Sequence, residues 1–137
     1  MKYNTKCYSV MREGDSVRIF KTKWFTRFAR KEGISDDKLA DAVQEAEKGL
    51  NDGELGGGLI KKRVARTGEG KRGGYRTIIV YRVGTRAVFV YGFPKSTKAN
   101  LTAFELNEYQ KLAQVYLSLT EAGITKALNE GELKEVI

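Results

Sequence analysis

The 137-residue chain is 41% hydrophobic and 31% charged with a formal net charge of +8, the make-up of one folded domain with a core of its own. A single cysteine excludes an intrachain disulfide, and the absence of histidine excludes a His-containing zinc site and the side chain most used for proton transfer near neutral pH. No apolar run approaches the roughly 18–20 residues of a membrane span, and residues 1–10 lack the apolar stretch of a signal peptide, so a cytoplasmic protein with no membrane partner is expected.

Residues 1–15 show no periodicity and read as an N-terminal arm. Val17 and Ile19 alternate with polar neighbours, a short strand over 16–20. From 21 to 30, Trp24, Phe25, Phe28 and Ala29 recur at helical spacing, which predicts an amphipathic helix with an aromatic inner face, ended by Gly33. Ser35 or Asp36 caps a second helix whose buried side is Leu39, Ala42, Val43, Ala46 and Leu50, with Gly49 at its C-terminus.

After a glycine-rich connection over 51–58 the period shortens to two. Strands are expected over 59–65, 75–83 and 86–93, the last two joined at Gly84–Thr85 as an antiparallel hairpin. Pro94 closes the third. Thr102 and Glu105 have the capping-box spacing and open a third helix, with Leu106, Tyr109, Leu112, Ala113, Tyr116 and Leu117 on one face. Residues 120–137 read as a weaker, partly helical tail. This order of elements is that of an α+β fold.

The positive charge is not spread evenly. Between Leu59 and Arg76 stand Lys61, Lys62, Arg63, Arg66, Lys71, Arg72 and Arg76 against Glu69 alone, which places six of the eight net charges in one short segment. Such a cluster suits a polyanion. A two-residue period over 59–65 puts Lys61 and Arg63 on one face, while Ile60, Lys62 and Val64 take the other, buried face. Arg76, at the start of the next strand, is near enough to join the first pair.

Arginine makes bidentate contacts to phosphate and stays charged, so it suits the charge that builds on phosphorus in a pentacovalent transition state. It cannot act as a base. A lysine crowded by other cations gives up its proton more readily, and if RNA is cleaved Lys61 is the candidate to accept the 2′-OH proton. The bland alternative is a passive basic patch, and periodicity alone favours it. Lys71 and Arg72 sit in the glycine-rich loop 66–74, which lacks the spacing of a P-loop and is better read as a hairpin tip docking on a backbone. Among the strand aromatics Tyr81 is expected in the core, with Tyr75 and Phe93 left open for base stacking.

The blocks Lys21-Thr-Lys-Trp-Phe25, Gly57-Gly-Leu-Ile-Lys-Lys-Arg-Val-Ala65, Gly70-Lys-Arg-Gly-Gly-Tyr-Arg76 and Tyr91-Gly-Phe-Pro-Lys95 resemble, in matching order, the RelE/HigB-type toxins of bacterial toxin–antitoxin systems. So does Asn100-Leu-Thr with the helix after it, and the resemblance covers about residues 18–119. It implies a compact antiparallel sheet with helices packed on one side. It also implies a metal-independent, cofactor-free endoribonuclease that cuts mRNA in the ribosomal A site and is neutralised by an antitoxin, expected to be a helix-turn-helix protein.

By motif position the resemblance puts Lys61, Arg63 and Arg76 in the catalytic set. Lys62, Arg66, Lys71, Arg72, Lys95 and Lys98 become RNA or ribosome contacts. Some relatives supply a C-terminal tyrosine or histidines; here Asn100 and Leu101 occupy that neighbourhood, and Tyr109 lies within a helix. The alternatives are a non-catalytic, ParE-like inhibitor or a toxin-like module that binds nucleic acid or antitoxin. A phosphate-directed cluster favours the enzyme.

Overall fold

The computed structural model describes residues 17–66 and 74–137. The arm and the loop tip with Lys71 and Arg72 lie outside the described residues.

Strand β1 (Arg18–Thr22) runs into helix α1 (Lys23–Glu32), because Thr22 ends the strand and caps the helix, its Oγ1 accepting the Phe25 N–H at 3.1 Å. Gly33, at φ 72°, takes the left-handed conformation that stops α1. Ser35 caps α2 (Asp36–Glu47), whose first turn carries Asp36 and Asp37 at the positive end of the helix dipole. Strands β2 (Glu54–Gly56), β3 (Leu59–Val64), β4 (Tyr75–Arg82) and β5 (Arg86–Pro94) follow. Then come α3 (Ala103–Ser118), α4 (Glu121–Asn129) and β6 (Leu133–Val136).

The α+β class is as the sequence indicates, but the sheet is mixed. Its order is β2-β3-β4-β5-β1-β6, antiparallel throughout except where β1 lies parallel to β5. Helices cover both faces rather than one. On one side α1 and α2 bury Phe25, Ala29, Leu39, Ala42, Val43 and Ala46 against Ile60, Val64, Tyr75, Ile79 and Phe89. On the other, α3 and α4 close over Leu59, Ile78, Val80, Val88 and Phe20. Adjacent Ile19 and Phe20 enter opposite cores, as a strand buried on both faces requires.

The segment from 120 onward is part of this architecture. Residues 133–136 form the edge strand against β1, and Arg18 binds Glu135 through two 2.9 Å hydrogen bonds. Arg86, 8% exposed, donates to the carbonyls of Tyr116 and Leu119 at the C-terminus of α3, where a cation is favoured. The same helix lies close over the β2–β3 turn. A Cβ at Gly58 would stand 2.5 Å from Leu117 Cδ1, and Gly58 has φ 87°, so only glycine fits.

Candidate nucleic-acid interface

Strand register gathers the cations. Lys61 and Arg63 are two apart in β3 and emerge half-buried on the α3 side, while Ile60, Lys62 and Val64 are buried on the α2 side. Arg63 stands directly across from Arg76 in β4, and Arg76 from Phe93 in β5. One step along the sheet Lys61, Ile78 and Tyr91 align in the same way.

Two arginines facing each other across neighbouring strands oppose sheet pairing. Arg76 is only 9% exposed, and among the described residues its Nη1 has no hydrogen-bond partner. Asp52 steadies Arg63: its carboxylate accepts the Arg63 backbone N–H at 2.7 Å and lies 3.5 Å from Nε, too poorly aligned for a hydrogen bond. Lys61 Nζ donates to Asn100 Oδ1 at 2.8 Å, a neutral partner that fixes the ammonium without neutralising it.

The chain after β5 closes the far side. Lys98 lies over the rings of Tyr91 and Phe93, 5.5 and 5.4 Å from their centroids, and donates to both oxygens of Glu105 at 2.7 and 2.8 Å. Glu105 also accepts the Thr102 N–H, completing the capping box. One network therefore starts α3 and lays the preceding segment on an aromatic floor.

Its hydrogen bond to Lys98 holds the Glu105 carboxyl below the ordinary 4.5, and the same bond raises Lys98 above 10.5. The depressed carboxyl contributes stability above pH 4.5 that is lost as pH falls through its folded value. The raised lysine contributes below pH 10.5 and loses it as pH rises through its own. Amides in the first turn of α3 should therefore exchange faster, relative to intrinsic rates, at about pH 3 than at about pH 6. Glu105→Gln should abolish the difference; equal protection of the wild type at both would contradict the network.

Tyr109 of α3 stacks on Tyr91 with centroids 5.1 Å apart. Burial, then the neighbouring Tyr91 and Glu105, push its phenol up to about 12, so it offers a hydrogen bond and no base near neutral pH.

Other residues singled out in the sequence lie elsewhere. Lys62 points into the α2 side, 5% exposed, with Nζ 2.6 Å from Glu45; its charge is engaged within the fold and leaves the contact set. Tyr75 is 3% exposed beneath α1, donating to the Glu32 carbonyl at 3.2 Å and carboxylate at 3.0 Å, so it is a core residue and no stacking surface. Burial first, then Glu32, raises its phenol. Arg66 lies over the Tyr75 ring at 5.1 Å, away from the Lys61 face. Phe93 is on the right face but buried under Lys98, where it serves as floor. Lys95 is exposed just beyond β5. Sequence reasoning missed Asn100 and Asp52 as partners of the cations, since nothing in loop composition singles out either.

Among the described residues no group of three or more His, Cys, Asp or Glu is placed to hold a metal ion, and no helix is long and apolar enough to cross a membrane. Taken together, a small α+β domain with three cations fixed on one sheet face defines a basic protein suited to a phosphate-rich partner. The family model for the RelE toxin of the RelE/RelB toxin–antitoxin system matches residues 17–136, and the chain belongs to that family. It is thus a toxin of a toxin–antitoxin system, with an antitoxin as its partner. A search of curated proteins finds no match.

Proposed function

We propose that this toxin is a ribosome-dependent mRNA endonuclease that halts translation in the cytoplasm and is neutralised by a helix-turn-helix antitoxin. The observation that carries the reading is the facing pair Arg63 and Arg76, with Arg76 Nη1 unpartnered among the described residues. A buried guanidinium N–H without a hydrogen bond is costly to a fold. A phosphate oxygen supplies what it lacks.

In the proposed reaction a ribose 2′-oxygen attacks the adjacent phosphorus in line, and the bond from phosphorus to the 5′-oxygen breaks. Lys61 Nζ is placed to pass the 2′-OH proton toward the departing 5′-oxygen, which leaves as a hydroxyl. The products are a 2′,3′-cyclic phosphate and a 5′-hydroxyl end. Arg63 and Arg76 hold the non-bridging oxygens and stabilise the pentacovalent charge, while Asn100 aims Lys61. Lys95 and the loop-tip residues Lys71 and Arg72 contribute phosphate or ribosome contacts.

Growth on induction tests the reading. The Lys61→Ala/Arg76→Ala double variant should be non-toxic while still binding its antitoxin. Undiminished toxicity would rule the endonuclease out.

A further inference from the structure

Strand β1 ends at Thr22, with Lys21 opposite Phe89, so the last residues of β5 run on beyond it and the first turn of α1 fills the space beside them. Trp24 thereby reaches Tyr91, with ring centroids 5.0 Å apart. Trp24 also stacks on Phe28, one helical turn on, at 5.3 Å and 13° between planes. The contacts Tyr109–Tyr91–Trp24 make a continuous row of rings leading from beneath Lys98 to the exposed Trp24, while Phe28 packs on the core beneath it.

The outer end of that row is open. Trp24 is 41% exposed, although the inward side of α1 is filled by Phe25 and Ala29. Trp24, Arg27, Phe28 and Lys31 line a groove of about 240 Å³. Among the described residues no carboxylate lines it. Glu32 is turned toward Tyr75, and Asp36 is paired with Lys21. Two stacked rings flanked by two cations match the two faces of a nucleotide, a planar base and an anionic phosphate.

We infer that the Trp24–Phe28 face of α1 is a stacking platform for an unpaired base of the RNA strand as it leaves the Lys61/Arg63/Arg76 cleft, with Arg27 and Lys31 on the adjoining phosphates. This rests on the reading of the cleft as an RNA site. An acidic segment of a protein partner would suit the cations equally. Continuity of the rings with the cleft favours the RNA strand.

Trp24 is the sole tryptophan, so its emission reports on the platform directly. The probe is a short single-stranded oligoribonucleotide, 2′-O-methylated so that it cannot be cut, with binding followed independently by anisotropy of a 5′ label. Saturable quenching of Trp24 should coincide with the anisotropy curve. Trp24→Leu should weaken binding roughly 5- to 150-fold, the range for losing one stacked base, and Trp24→Phe should recover most of it. Arg27→Gln/Lys31→Gln, on exposed positions that leave the core intact, should lower the slope of log affinity against log salt by roughly 0.7 for each phosphate that is no longer neutralised.

Oligonucleotide binding with unchanged Trp24 emission and an unaffected Arg27→Gln/Lys31→Gln variant would overturn the platform and leave the cleft reading standing. So would loss of antitoxin binding, but not oligonucleotide binding, in Trp24→Leu, which would assign the face to the protein partner. No oligonucleotide binding at all would also overturn it, and cleavage of ribosome-bound mRNA by the same preparation would then still decide the reading of the cleft.

Discussion

Replacing Arg76 by leucine should lower mRNA cleavage about 100- to 1,000-fold, the effect of removing one preorganised donor to a developing oxyanion, while thermal stability holds or rises. The two halves of that expectation have one cause. Arg76 is buried, faces Arg63 across the strands and leaves Nη1 without a hydrogen bond among the described residues. Burying that unpartnered Nη1 beside a second arginine costs the fold, and leucine at that position adds apolar surface beside Ile78 and Phe93 without a charge to desolvate. A residue whose removal helps the fold and ruins the reaction is held for the reaction. Cleavage kinetics and a melting curve on one preparation check both halves; a large drop in melting temperature would make Arg76 a structural residue instead.

Glu45→Ala should cost about 3 kcal/mol, the lower end for breaking a buried ion pair, because Glu45 is itself 33% exposed while the Lys62 side chain is 5% exposed. The variant strands an ammonium among Ile60, Val64 and the α2 side chains. Lys62→Met in the Glu45→Ala background should restore most of the stability by removing the stranded charge. Urea denaturation of the two variants measures both steps. Toxicity of the double variant should match the wild type, since neither residue lies on the cleft face; a loss of toxicity with stability restored would return Lys62 to the contact surface.

The alternation in Leu59-Ile-Lys-Lys-Arg-Val64 is enough to put Lys61 and Arg63 on one face, because a strand period of two is local. The same rule sends Tyr75 and Arg76 to opposite faces, so the burial of Tyr75 is legible in the sequence once Arg76 is assigned to the cleft. It also groups Lys62 with Ile60 and Val64. The capping box at Thr102 and Glu105 is readable, since both halves lie within one turn.

What could not be read depends on contacts between distant residues. Leu133 and Val136, three apart, carry no strand period, and their strand exists only because β1 offers it an edge more than a hundred residues earlier in the chain. Parallel pairing of β1 with β5 has no local signature either. The hydrogen bond from Lys61 to Asn100 spans 39 residues and follows from where the Lys98–Glu105 network pins the loop.

Mapping mRNA 5′ ends in a reconstituted translation system, with and without ribosomes, is the most direct test of the endonuclease. Wild-type protein should produce new 5′-hydroxyl ends within coding sequence only when ribosomes are present, and Arg76→Leu should produce almost none. Translation that stops while the mRNA stays intact would contradict the proposal, as would ends that form equally with the Arg76→Leu variant.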